Sequence, residues 1–185
     1  MKLYIDFDGV ILNTIDVSYQ KIKELYGDNP TQEEVGTFYK NLDWNKFLEE
    51  CDQINYSLDN LQKLIDSKLY DVTVLTHVHT LHEKEAKESY LKKYVPKINF
   101  IPVTKPLPKW RAIECERAIL VDDYGVNLKE WQEHGGIAIK FSQKEKKYDY
   151  IKIKSLDELI SLYPELNKNV KRKVKKWYII WYIIF

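Results

Sequence analysis

Residues 3–10 read LYIDFDGV, an apolar run that ends in two aspartates, Asp6 and Asp8, with one phenylalanine between them. Side chains two apart on a strand point to the same face, so the two carboxylates converge on one spot. At the end of a buried strand that convergence is costly unless a cation, a proton or solvent compensates it. Gly9 follows directly and suits a turn. Taken alone, the stretch also fits a polar strand end running into a glycine turn, and the rest of the chain has to decide.

Working outward, the apolar residues Ile15, Tyr19, Ile22 and Tyr26 fall at helical spacing, and the segment from Gly27 to Pro30 stops that helix. Three further helical pieces begin at Thr31, Asp43 and Ser57; Thr31 with Glu34 makes a capping box, and Leu42 with Phe47 makes a hydrophobic staple around Asp43. This all-helical stretch covers residues 14–67. Beyond it strands and helices alternate. DVTVLTH is a β-branched strand, Thr80 with Glu83 caps a charged helix to Tyr94, and INFIPV and RAILVDD are strands. Asn127 with Glu130 opens a helix ended by Gly135 and Gly136, IAIKF is a strand, YIKIK an edge strand, and Ser155 with Glu158 caps a last helix to Tyr163.

Such alternation predicts an α/β fold, a Rossmann-like parallel sheet with helices on both faces, with a small all-helical cap inserted after the first strand. Residues 1–13 and 68–165 form the α/β core, 14–67 the cap and 166–185 a basic and aromatic tail. Ligands of such sheets sit beyond the carboxyl ends of the strands, at a switch in strand order. Asp6/Asp8, Thr76 and Asp122/Asp123 all lie at strand ends and are therefore predicted to be neighbours.

The totals are restrictive. Lys plus Arg is 29 against 28 for Asp plus Glu, a net charge of +1, so no global field recruits nucleic acid or a membrane. Cys51 and Cys115 have neither thiolate-metal nor disulfide spacing, which fits a reducing, cytoplasmic setting, and no secretion signal opens the chain. The tail, NKNVKRKVKKWYIIWYIIF, joins a basic run to an apolar run too short to span a bilayer as a helix. Self-packing, an oligomer contact, membrane-surface adhesion and no function at all remain open for it.

Four motifs in order, DFDGV at 6–10, VLTH with Thr76, a lysine in TKPLPKW, and ILVDD with Asp122 and Asp123, resemble those of the haloacid dehalogenase-like (HAD) hydrolases, which are mostly Mg-dependent phosphatases. The resemblance spans residues 1–163. It implies Asp6 as nucleophile and Mg2+ ligand, forming an aspartyl-phosphate. It implies Asp8 as the group that protonates the leaving oxygen and then activates water, with its backbone carbonyl on the Mg2+. Those two proton-handling roles suit a carboxyl whose pKa is lifted by negative neighbours. Thr76 would donate to a phosphoryl oxygen, Asp123 would ligate Mg2+ directly with Asp122 behind it, and Asn127 would hold a metal-bound water or serve as a helix N-cap.

The lysine that neutralises the phosphoryl group is ambiguous. Lys105 stands in KPLP, similar to the family's KPxP, and is preferred over Lys109, which lies in the first turn of any following helix. An acid at Asp8 suits phosphate esters, since the dehalogenases of the superfamily lack it. Residues 14–67 look like the superfamily's helical lid, which favours a small phosphorylated metabolite. The lid and the phrasing around Thr76 and Asp123 also resemble the 5'-nucleotidase branch, making a nucleoside monophosphate one candidate. Of the lid's aromatic residues, most are expected to form its own core. His77 is a candidate substrate contact, whereas His77, His79 and His82 lack the fourth partner of a zinc site.

Overall fold

The computed structural model of the chain describes residues 1–168; the expectations for the basic and aromatic run beyond them lie outside the described residues. Six strands form one all-parallel sheet. They are β1 (Lys2–Ile5), β2 (Asp71–Val78), β3 (Asn99–Thr104), β4 (Ile119–Asp122), β5 (Ile137–Phe141) and β6 (Ile151–Ile153), in spatial order β3-β2-β1-β4-β5-β6. The chain builds outward from β1 through β2 to β3, then returns to the other side of β1 to lay down β4, β5 and β6. The switch in strand order therefore falls between β1 and β4, where a crevice opens at the carboxyl ends.

Residue alternation divides the core in two. Leu3, Ile5, Val72, Val74, Ile119 and Val121 face one buried cluster, while Tyr4, Leu75, Leu120 and Ala138 face another. Each fully buried Leu or Ile contributes about 1.5–3 kcal/mol relative to exposure. The second cluster is closed by α6 (Lys109–Ala112) and α7 (Gly125–Glu133), whose Trp131 is wholly buried, lies edge-on to Tyr4 at 5.6 Å and donates Nε1–H to the Ala118 carbonyl at 3.0 Å. The first cluster takes Ala86 and Leu91 of α5 (Leu81–Tyr94), together with Leu156, Leu159 and Leu166 near and within the helical residues 158–168. That last helix runs past Tyr163, where sequence spacing stopped it.

Between β1 and β2 stand α1 (Thr14–Tyr26), α2 (Gln32–Asn41), α3 (Trp44–Glu50) and α4 (Ser57–Asp66). Thr31 and Glu34 form the reciprocal capping box at the start of α2, and Asp43 caps α3 by accepting from the Lys46 N–H at 3.1 Å. The Tyr39 hydroxyl ties α2 to Ser18 of α1 at 3.1 Å. Leu58, Leu61 and Leu64 of α4 share the buried cluster of β1 and β2, so this helix packs on the sheet. No described helix is long and apolar enough to cross a membrane.

Candidate active site

β1 and β4 are hydrogen-bonded neighbours, and the Asp6 N–H extends their ladder to the Val121 carbonyl at 2.9 Å. This register sets Asp6 beside Asp122 and Asp123. One carboxylate oxygen from each of the three lies within 4.8 Å of the others. Lys109, the first residue of α6 and almost wholly buried, projects beneath them. Its Nζ is 2.8 Å from Asp6 Oδ1 and 2.7 Å from Asp122 Oδ2. Lys105 is exposed and lies along a cavity wall, so the sequence preference between the two lysines is reversed: Lys109 meets Asp6. Only Lys109, at the start of α6, is turned inward; Lys105 lies in the turn after β3.

Asp122 is committed to the protein. Oδ2 also accepts from Asn127 Nδ2 at 2.9 Å, and Oδ1 accepts from the Tyr124 N–H at 2.7 Å, an Asx-type turn that starts α7. Helix α7 consequently begins at Gly125, and Asn127 sits inside it, where it is not the N-cap expected from sequence but a brace for Asp122. The Asp123 carboxylate packs against Gly9: a Cβ there would come within 2.5 Å of Asp123 Oδ2, and Gly9 also holds φ +68°. A glycine is needed at that place on both counts.

Burial pushes the Asp6 carboxyl up, Lys109 pulls it down, and the nearby Asp122, Asp8 and Asp123 push it up again, to about 8. Asp123 is pushed up to about 6 by burial and by Asp122. Three clustered carboxyls share the buried Lys109, with Lys140 at the Asp123 side, and the donors they offer are all oxygen. That donor set fits a hard divalent cation of the Mg2+ type. Asp6, Asp122 and Asp123 are the clustered groups that could hold it.

Asp8 differs. Its Oδ1 accepts from the Thr14 hydroxyl at 2.8 Å, and its Oδ2 accepts from the Thr76 hydroxyl at 3.3 Å and from Lys87 Nζ at 2.6 Å. Burial would raise this carboxyl, but the Lys87 ammonium and the hydrogen bonds from Lys87 and Thr14 outweigh it and hold Asp8 below its ordinary value. The expectation that negative neighbours lift Asp8 is therefore overturned by a buried lysine that sequence reasoning missed. Lys87 belongs to HEKEAKESY, part of the helix that the sequence marks only as charged. A signal was nevertheless present: Glu83 and Lys87 fall on the same helical stripe as Ala86 and Leu91, which is the buried side of α5.

A cavity of about 470 Å³ opens beside Asp8, lined by Tyr39, Trp44, His77, His79 and Lys105 among others. A second, of about 520 Å³, adjoins Asp123 and Lys140, and Ile15 and Tyr19 of α1 border both. Thr76 lies within β2, not at its end, and is fully buried. The three histidines diverge. His77 Nε2 pairs with the Leu107 carbonyl at 3.1 Å, His79 lies parallel to the Tyr39 ring at 6.1 Å, and His82 meets Asn45 at 3.5 Å. Burial, aided by Lys109, pushes His77 down to about 4, so it faces the cavity as a neutral ring. Phe38, Trp44 and Phe47 are buried, but Trp44 and Phe47 join the core cluster of β1 and β2 and do not form a core of the helical layer's own; Tyr19 and Tyr56 are exposed.

No family model matches the chain, and no curated relative is similar to it in sequence. Solved structures are similar in fold. A phosphonoacetaldehyde hydrolase-like protein from Oleispira antarctica superposes with a TM-score of 0.63 at 11% identity, covering 92% of this chain and 94% of that one. A HAD hydrolase of family IA, variant 3, from Entamoeba histolytica gives 0.59 at 12% identity, covering 91% and 100%. A dehalogenase gives 0.53 at 12% identity, covering 87% and 96%. Relatives so distant in sequence share architecture, and their names differ in reaction. The described residues of this chain adopt the fold of the HAD-superfamily hydrolases.

Proposed function

We propose that this protein is a Mg-dependent phosphatase that hydrolyses a small phosphomonoester through an aspartyl-phosphate on Asp6. The observation that carries the reading is the convergence of Asp6, Asp122 and Asp123 on Lys109 at the strand-order switch, with a second acid, Asp8, at the mouth of a cavity. The named relatives include a dehalogenase, so the fold alone does not select the reaction. Asp8 supports the ester reading, because a departing alkoxide needs a proton and a departing halide does not.

In this mechanism an Asp6 oxygen attacks phosphorus as the ester P–O bond breaks, and Asp8, held ionised by Lys87 until the negative charge of the bound phosphate raises its proton affinity, supplies the proton to the leaving oxygen. Water then attacks the acyl phosphate; Asp8 takes its proton, Asp6 is released and inorganic phosphate leaves. Lys109 neutralises the phosphoryl oxygens and holds Asp6 in line, and Thr76 offers a hydroxyl. A bound divalent cation supplies charge screening that lets a carboxylate approach a phosphate dianion. Helices α1 and α2, which border the cavities, act as the lid that excludes water and contacts the leaving group, while α3 and α4 pack into the core of the sheet. A cavity of about 470 Å³ with Tyr39, Trp44 and His79 along it suits a compact substrate, nucleoside monophosphates among them.

Purified protein is expected to hydrolyse p-nitrophenyl phosphate with Mg2+, and Asp6→Asn to reduce turnover to background. Undiminished turnover in that variant overturns the mechanism. A screen of nucleoside monophosphates and sugar phosphates then assigns the substrate.

A further inference from the structure

Lys87 is wholly buried, yet the mechanism above gives it no task. Desolvating an ammonium costs several kcal/mol, so its partners have to be nearly ideal. They are: Nζ donates to Asp8 Oδ2 at 2.6 Å, Glu83 Oε1 at 2.7 Å and the His77 carbonyl at 3.2 Å, which uses all three of its hydrogens. Glu83 is buried too, and its other oxygen accepts from the His79 N–H at 2.7 Å. The ammonium also lies 5.4 Å from the ring centres of both Phe7 and Trp44. A single side chain on α5 thus spans the loop that carries Asp8, the segment after Thr76 and helix α3.

Asp8 needs such a support. It stands at the mouth of the cavity on a glycine turn, and among the described residues its carboxylate is held, apart from Lys87, by the Thr14 and Thr76 hydroxyls. A proton donor one ångström out of place loses much of its effect. We propose that Lys87, anchored by Glu83, is a positioning residue that fixes the Asp8 carboxyl where the leaving oxygen of the substrate emerges. The proposal rests on the phosphatase reading. Lys87 touches no substrate and acts through Asp8.

A purely structural lysine and a positioning lysine differ in leaving-group dependence. β-Glycerophosphate expels an alkoxide that needs the Asp8 proton, whereas p-nitrophenyl phosphate expels a stable phenolate that needs it little. Lys87→Met alone strands the Glu83 charge, so the test uses Lys87→Met/Glu83→Gln, with its melting temperature compared with that of the unaltered chain. The expected result is a kcat for β-glycerophosphate that falls about 100-fold while that for p-nitrophenyl phosphate falls less than about 10-fold. Asp8→Asn should reproduce this split, and adding the double change to Asp8→Asn should not widen it. Glu83→Gln alone keeps the ammonium and should shift the ratio in the same direction by a smaller factor, which serves if the double variant does not fold. Equal falls for the two substrates, or a wider split in the Asp8→Asn background, overturn the proposal while leaving the phosphatase reading intact. No hydrolysis of either ester by the unaltered chain overturns both.

Discussion

Two buried lysines serve the two aspartates of one loop, and the difference between them separates the halves of the site. Lys109, from α6, pairs with Asp6 and Asp122; Lys87, from α5, pairs with Asp8 and Glu83. Burial pushes both ammoniums down, and their carboxylate partners outweigh it, so both are held above their ordinary value and charged. Their surroundings are not balanced alike. Three clustered acids face Lys109, and Asp6 and Asp123 are pushed toward protonation. The acids around Lys87 are met by threonine hydroxyls and backbone N–H, and Asp8 is held below its usual value. The end with clustered acids is the one suited to a cation and a phosphoryl group. The balanced end is suited to holding one carboxyl still.

Removing the lysine at the clustered end should cost most. Lys109→Met is expected to lower kcat about 10²–10³-fold for aryl and alkyl phosphates alike, the loss seen when one preorganised donor to a developing anion is deleted. A uniform fall sharpens the contrast with Lys87, whose loss should be selective for poor leaving groups. A selective fall in Lys109→Met breaks it. The variant also leaves Asp6 and Asp122 buried without their shared cation, so it should melt earlier. Next in size is metal linkage. Saturating Mg2+, at about 100 times its dissociation constant, should stabilise the unaltered chain by about 2.7 kcal/mol. In a chain of this length that raises the melting temperature by about 5–10 °C. Asp123→Asn should abolish most of the rise and Glu83→Gln should leave it in place. A Mg2+ response lost equally in both variants would erase the distinction between the two ends.

How legible each end is in the sequence follows from how it is built. The Lys109 end is assembled from strand termini, and strands announce themselves: β1, β2, β4 and β5 fall where their β-branched and apolar runs stand, and the acids that follow are fixed to one crevice by the parallel topology. The capping box at Thr31 and Glu34 was legible for the same local reason. The Lys87 end depends on a helix face. Helix α5 carries charge on every side, so its buried stripe is marked only by Ala86 and Leu91, and the inward lysine is disguised as an ordinary i,i+4 pair with Glu83. Asn127 failed differently. Its spacing to Glu130 suggested a cap, but Asp122 starts the helix three residues earlier through the Tyr124 N–H and frees Asn127 to brace it.

The smallest effect belongs to Lys105, the lysine that motif spacing preferred. It is exposed in the turn after β3 and borders the cavity without reaching Asp6, while Lys109 already neutralises that carboxylate from below. A second catalytic lysine would have to displace an ammonium held at 2.8 Å and 2.7 Å from two buried acids, which costs more than an exposed side chain can return. Lys105→Ala should therefore change kcat for p-nitrophenyl phosphate by no more than about twofold, equivalent to about 0.4 kcal/mol, and leave the melting temperature unchanged. Because Lys105 lines the cavity, any effect it has should appear in KM for anionic leaving groups. A loss of kcat as large as that of Lys109→Met would mean that the phosphoryl group is held from the cavity side, and would shift the reacting centre away from the crevice between β1 and β4.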